Sequence, residues 1–139
     1  LVLGSFQEPR ARPIARWQDN LHEAEAAMRA GDLYSARSLY TQTARIASWS
    51  DDWIGVLAAA CGLKGLEKQR YDYFATRTAL VRAMIAAENQ RSPAGMNAVA
   101  DAFAGIGEHN AGAMVRSRIP IDAPAGAQSP EQMQMWNCR

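Results

Sequence analysis

The chain has 139 residues, of which 48% are hydrophobic and 21% are charged, and its formal net charge is +1. This composition is typical of one globular domain, and so balanced a charge argues against nucleic-acid binding, which depends on concentrated Lys and Arg. No run approaches the roughly 18 apolar residues that a membrane span needs, so we expect no span and a cytoplasmic location.

Residues 13–119 show helical periodicity almost throughout, after a segment at 1–12 that we expect to be extended. Gly31 can adopt the left-handed conformation that ends a first helix, and Asp32 can cap a second one. The inward faces of these two helices are predicted to carry Ile14, Trp17, Leu21, Ala24 and Met28, then Leu33, Ala36, Tyr40, Ala44 and Ala47. The two helices therefore form a first hairpin at about residues 13–48.

A second hairpin is predicted at about residues 50–89, with Ser50 as the N-cap of its first helix and Gln69 near the start of its second. The inward face of the first of these helices carries Trp53, Val56, Leu57, Ala60 and Leu63. The second carries two adjacent apolar rows, Phe74/Val81/Ile85 and Tyr73/Leu80/Met84. So wide an apolar face predicts contact with two neighbouring elements.

A third hairpin is predicted at about residues 92–119. Ser92 is placed to cap its first helix and Pro93 suits the first turn. The inward residues of its first helix are Met96, Val99, Phe103 and Ile106, and a short last helix carries Met114 and Val115. Residues 120–139 are rich in Pro, Ala and Gln without periodicity, so we expect an extended tail. With no strand predicted, the expected fold class is all-α.

The turn before the second helix of each hairpin recurs along the sequence. Gly31-Asp32 and Gly107-Glu108 precede the second helices of the outer hairpins, and Gln69 lies midway between them. The resulting period of about 38 residues falls within the range of stacked repeat proteins. We therefore predict three stacked antiparallel helical hairpins forming an α-solenoid, with a non-repeating helical bundle as the alternative.

Residues 30–47, AGDLYSARSLYTQTARIA, resemble the second half of a tetratricopeptide repeat (TPR). The match consists of Gly31 at the turn, Leu33 two positions later, Ala36 where the helices touch, and Tyr40 one turn on. The resemblance is clear over this stretch and weak over the rest of the chain, and no copy closes with the usual proline. It implies a right-handed superhelical stack whose first helices line a concave groove for protein or peptide partners.

The resemblance also implies which residues would contact a partner, namely the outward positions of the first helices: Gln18, Glu25, Arg29, Glu67, Asn97 and Asp101. Trp49 and Trp53 flank the start of the third helix. We favour packing between hairpins one and two for this pair, with an aromatic anchor for a partner as the alternative.

These features predict a non-catalytic scaffold or adaptor that binds a protein or peptide. One alternative is a sensor of small molecules or signal peptides, with an enclosed pocket lined by Trp53, Tyr71 and Phe103. Another alternative is a structural module that forms homo-oligomers through a terminal hairpin, because the ends of repeat stacks need capping.

The sequence offers no recognisable catalytic machinery. His22 begins like a zinc-binding HExxH motif, but Ala26 stands where the second histidine would be. We therefore expect no enzyme activity, cofactor or metal. Cys61 lies in an apolar run and is expected to be a small buried hydrophobe, Cys138 is expected to be a free thiol, and no disulfide is predicted. Arg far outnumbers Lys and Ala is abundant, which suggests a bacterial source.

Overall fold

The computed structural model describes residues 16–121, and within that range the chain forms helices and no strand. The six helices are α1 (Trp17–Arg29), α2 (Leu33–Trp49), α3 (Trp53–Glu67), α4 (Phe74–Asn89), α5 (Pro93–Gly105) and α6 (His109–Ser117). The all-α class is confirmed for this part of the chain. The segment predicted to be extended at 1–12 lies outside the described residues, as does the predicted tail from residue 122 onward.

Consecutive helices contact one another throughout residues 16–121, as the predicted hairpins α1–α2, α3–α4 and α5–α6 require. Helix α1 also contacts α3, α3 contacts α5, and α2 contacts α4. The first helices begin at Trp17, Trp53 and Pro93, which gives the predicted mean period of about 38 residues. The likeness to a solenoid and its right-handed twist stay predictions.

Four of the five turns between the helices of residues 16–121 share one backbone geometry. A residue with positive φ ends one helix, and the next residue is the N-cap of the following helix. That N-cap donates its N–H to a carbonyl five residues back, at 2.9 or 3.0 Å, which is the Schellman arrangement. The four left-handed residues are Gly31, Asp51, Arg91 and Gly107. The turn predicted within hairpins therefore also recurs between them.

The fifth turn, between α3 and α4, is longer and is organised by a buried carboxylate. Glu67 is only 3% exposed, and its oxygens accept the N–H groups of Ala75 at 3.1 Å and Thr76 at 2.6 Å, and the Thr76 hydroxyl at 2.7 Å. These bonds satisfy amides at the start of α4, where Tyr73 at the N-cap position has no side-chain hydrogen bond. Helix α4 therefore begins at Phe74, later than the predicted Gln69.

Two predictions about inward residues are wrong. Phe74, Val81 and Ile85 are 65%, 41% and 48% exposed, because α4 packs through a face of small residues that includes Ala79, Ala83 and Ala86. Leu33 is 55% exposed because it occupies the first position of α2, one turn before Ala36 reaches the core. We call Phe74, Val81 and Ile85 the outer row of α4.

Neighbouring hairpins meet where a tryptophan ring lies on a glycine. A Cβ atom at Gly55 would stand 2.6 Å from the Trp17 ring, and one at Gly95 would stand 2.8 Å from the Trp53 ring. Both tryptophans begin a first helix, and both glycines are the third residue of the next first helix. The Trp17 indole N–H also donates to the Asp52 carboxylate at 2.8 Å. Trp53 was expected to pack between hairpins one and two, whereas the contact of its ring with Gly95 joins it to α5 of the third hairpin.

The tryptophan–glycine contacts predict that Gly55→Ala and Gly95→Ala each lower the free energy of unfolding by about 1–3 kcal/mol, because the added methyl group overlaps an indole ring. The matched control is Gly105→Ala, where the nearest atom to the new Cβ would be Lys64 Nζ at 3.5 Å. We expect that control to change stability by less than about 0.5 kcal/mol. Urea unfolding measures all three, and equal stability of Gly55→Ala and Gly105→Ala would contradict this account of the stacking.

The buried Glu67 carboxylate predicts a second effect on stability. Glu67→Gln replaces one accepting oxygen by an NH₂ group that faces the N–H donors of Ala75 and Thr76. We therefore expect the free energy of unfolding to fall by about 1–3 kcal/mol. Glu23→Gln, at an exposed position of α1, should change stability by less than about 0.5 kcal/mol. Thermal and urea unfolding provide the comparison, and an unchanged Glu67→Gln protein would show that the carboxylate does not hold the turn.

Candidate functional site

An open groove of about 540 Å³ runs between α1 and α3. Its residues come from the facing sides of these helices and from α2 beneath them: Trp17, Gln18, Leu21, His22, Glu25, Tyr40, Ala58, Cys61 and Gly62. The volume lies in the range of ligand-binding clefts, which are usually apolar with a few polar groups. This groove is the candidate functional site.

The floor of the groove is fixed by the contact of Tyr40 with Gly62. A Cβ atom at Gly62 would lie 2.2 Å from the Tyr40 ring, so only glycine lets the ring rest on the backbone of α3. The ring is 4% exposed, and burial raises the pKa of its hydroxyl, with a further rise from the negative charge of Glu25 and an opposing effect of Arg29. The Tyr40 hydroxyl is therefore neutral at physiological pH.

The rim of the groove is polar and faces solvent. His22 Nδ1 and Glu25 Oε2 are 3.9 Å apart on α1, with side chains 80% and 45% exposed, so they form only a loose pair. Gln18 lies one turn before His22 and is partly buried. The groove thus combines an apolar floor with a polar edge, as binding surfaces commonly do.

The six residues predicted to contact a partner lie on different parts of the structure. Gln18 and Glu25 line the groove, whereas Arg29 is exposed at the C-terminal end of α1 and does not line it. The expected outward position of Glu67 is wrong, because its carboxylate is turned inward to hold the start of α4.

The remaining predicted contact residues lie away from the groove. Asn97 and Asp101 are exposed on α5, and the Asp101 carboxylate pairs with Arg116 of α6 within the third hairpin. Trp49 is 72% exposed at the end of α2, while Trp53 is 8% exposed and packs between hairpins. Of this aromatic pair, only Trp49 is accessible to a partner.

Cys61 differs from its predicted state. It lines the groove, is partly buried, and is disulfide-bonded. The expectation of no disulfide is therefore wrong, and the other cysteine of the chain, Cys138, lies outside the described residues. Hydrophobic periodicity does not distinguish a cysteine side chain in the protein core from one at the edge of a groove.

Helical periodicity predicted Trp17, Leu21 and Tyr40 as inward residues and did not assign them to a site. Leu21 follows the helical period of the inward residues of α1, yet it also forms part of the groove wall. A local signal was Gly62 within α3, because an unexplained helical glycine often marks the close approach of another group.

The enclosed pocket predicted for a sensor is not formed by its three named residues. Trp53 and Phe103 are 8% and 3% exposed within the core, whereas Tyr71 is 85% exposed in the turn before α4. Burial of the first two and exposure of the third leave no shared cavity among them. A sensor that encloses its ligand would need a pocket lined by other residues.

No protein-family model, curated protein or solved structure matches this chain. Across residues 16–121, no helix is both long and apolar enough to cross a lipid bilayer. The same residues bring together no cluster of three or more His, Cys, Asp or Glu side chains that could hold a metal ion.

The raised pKa of Tyr40 predicts how stability depends on alkaline pH. The folded pKa lies above the unfolded one, so the folded protein retains a proton that the unfolded chain has released. The stabilisation is complete below about pH 10 and is lost as the pH rises through the folded pKa. Tyr40→Phe removes this contribution, whereas Tyr34→Phe, at an exposed position of the same helix, should keep it. Urea unfolding at several alkaline pH values measures this, and identical pH slopes for wild type and Tyr40→Phe would contradict the prediction.

Proposed function

We propose that this protein is a non-catalytic module that binds a segment of a partner protein in the groove between α1 and α3. The observation that carries the proposal is an apolar floor with a polar rim on side-by-side helical hairpins. The resemblance of residues 30–47 to a TPR supports it, because such repeats present peptide-binding grooves along their first helices.

Rigid contacts beneath the groove support binding without reorganisation. The Trp17 ring is held against Gly55 and by its bond to Asp52, and the Tyr40 ring is held against Gly62. A preformed groove loses little conformational entropy on binding, so the entropic cost falls mainly on the partner segment. This arrangement suits the capture of a short extended or helical segment.

The charges near the groove indicate the chemistry of the segment. Glu25 lies on the rim, and Asp19 and Glu23 are exposed elsewhere on α1. Leu21 and Ala58 provide an apolar surface beside them. The segment that fits best has an apolar anchor residue followed or preceded by Lys or Arg, because opposite charges across a rim guide the encounter.

A second candidate function is self-association, and the outer row of α4 favours it. Phe74, Val81 and Ile85 recur at helical spacing and remain between 41% and 65% exposed. Exposed apolar residues that form a continuous patch commonly mark contacts with another protein. Sedimentation of the wild type and of the double variant Val81→Lys/Ile85→Lys tests this candidate. Self-association requires that the wild type sediments as an oligomer and the double variant as a monomer.

The groove proposal is tested with peptides selected from a random display library on the 139-residue chain under reducing conditions. Glu25→Arg places a bulky side chain of opposite charge on the rim and should weaken binding of the selected peptides about tenfold or more. Glu23→Arg makes the same charge change on the same helix outside the groove, so it should alter the Kd less than about twofold.

Isothermal titration calorimetry measures the peptide affinities of the two variants and the wild type. Equal loss of affinity in both variants would indicate a general charge effect and would reject the groove. Retention of full affinity by Glu25→Arg would place the binding surface elsewhere.

A further inference from the structure

We infer that the cleft between α2 and α4 is a second binding site, and that its ligand is an acidic amphipathic helix of a partner protein. The cleft has a volume of about 220 Å³ and shares no lining residue with the groove between α1 and α3. The inference therefore goes beyond the proposed function and does not depend on it. With both sites, the module can join two protein segments of opposite charge.

The cleft is a trough above α3 with an apolar floor. The floor consists of Ala44 from α2, Leu63 from α3 and Ala79 from α4, and all three are buried. On α2 the lining extends from Arg37 to Ala44, which is about 10 Å along the helix, or two turns. A trough between two helices can receive a third helix through the same ridge-and-groove contacts that join helices within a protein.

The walls of the cleft carry positive charge that the neighbouring side chains do not neutralise. Arg37 lines the cleft from α2 and Arg82 lines it from α4, and both side chains are exposed. Across residues 16–121, no carboxylate pairs with either guanidinium group, whereas Arg77 of α4 pairs with Glu108 at 2.7 Å. A guanidinium group binds a carboxylate through two parallel hydrogen bonds, so the cleft favours a ligand that carries Asp or Glu.

The hydroxyl groups of the cleft are already used as donors within their own helices. The Thr41 hydroxyl donates to the Arg37 carbonyl at 2.9 Å, and the Thr78 hydroxyl donates to the Phe74 carbonyl at 3.1 Å. The side-chain donors that remain for a ligand are therefore the two guanidinium groups. Because both are cationic, the complementary acceptor is an anion rather than a neutral carbonyl.

The charges of whole helices also distinguish the cleft from the groove. Helix α2 contains no Asp or Glu, and α4 contains only Glu88, which lies 3.0 Å from Arg118 Nε. Helix α1, which borders the groove, contains Asp19, Glu23 and Glu25. A ligand whose charge suits one site is therefore repelled at the other, and this repulsion separates the two partner segments.

The outer row of α4 indicates that the ligand also has an apolar face. Phe74 lines the cleft and is 65% exposed, so the outer row begins at the cleft wall. The row continues through Val81 to Ile85, about 17 Å further along α4. A small anion would leave this apolar surface uncovered. A helix with apolar residues on one face and Asp or Glu beside them covers the row and reaches both guanidinium groups.

The inference is tested with a display library of amphipathic helical peptides whose positions beside the apolar face are randomised among Glu, Gln and Lys. Peptides are selected on the 139-residue chain under reducing conditions and counter-selected on Arg37→Glu/Arg82→Glu, which removes ligands of the groove. We expect Glu to predominate in the recovered peptides, and the double variant to bind them about tenfold or more weakly. An empty selection, or recovered peptides without enrichment of Glu, would overturn the inference.

The role of charge at the cleft is measured by calorimetry on a recovered peptide. Arg37→Glu should weaken binding about fivefold or more, whereas Arg45→Glu, the same change on α2 outside the cleft lining, should alter the Kd less than about twofold. A peptide with Lys in place of each Glu should bind Arg37→Glu/Arg82→Glu about tenfold more tightly than it binds the wild type. Misfolding does not produce such an inversion, and its absence would overturn the charge assignment.

The apolar contact is measured with the same peptide. Phe74→Ala should weaken binding about fivefold or more, whereas Tyr34→Ala, at an 87% exposed aromatic of α2 outside the cleft, should leave the Kd within about twofold. Equal effects of these two variants would contradict the inference. Glu25→Arg should leave this peptide's affinity unchanged, because Glu25 lines only the groove. Failure of the groove proposal and failure of this inference are therefore distinguished.

Two other occupants of the surface are decided by separate measurements. A wild type that sediments as an oligomer, with Val81→Lys/Ile85→Lys as a monomer, would assign the outer row to a second copy of the chain. Binding to vesicles of phosphatidylcholine and phosphatidylserine that is lost in Arg37→Glu/Arg82→Glu would assign the cleft to an anionic membrane. Either result would overturn the inference, which requires a monomer that does not bind these vesicles.

Discussion

The arrangement of the hairpins depends on a tryptophan ring lying on a glycine of the next hairpin. Trp17 rests on Gly55, and Trp53 rests on Gly95 in the same relation one hairpin later. An alanine of the intervening second helix would lie 2.7 Å from a Cβ at Gly55 and 3.0 Å from one at Gly95, so each glycine sits between a ring and a methyl group. Such close packing leaves no room for a side chain, and it fixes how far one hairpin is displaced along the next.

A single residue can belong both to a turn between helices and to a contact between neighbouring hairpins. Asp52 is the N-cap of α3 and follows the left-handed Asp51, and its carboxylate also accepts the Trp17 indole N–H. One side chain thus marks the start of a helix and ties that helix to the previous hairpin. Agreement between local and long-range preferences of this kind is what lets a sequence specify one structure.

The groove is a consequence of the same contacts. Trp17 is both the ring that stacks on Gly55 and part of the groove wall, and Tyr40 fills the space above Gly62 to make the floor. Structure and binding surface therefore share side chains, so the shape of the groove is tied to the spacing of the first two hairpins.

Sequence periodicity and turn chemistry determined much of the fold. They predicted the helices, the turns at Gly31 and Gly107 and the buried face of α3, because these features follow from local spacing and from the backbone freedom of glycine. They did not decide the inward turn of Glu67, the exposure of the outer row of α4, the groove beside Tyr40 or the bonded state of Cys61. Periodicity tells which side chains share a helix face, but only the packed neighbours decide whether that face is covered, left open, or turned into a site.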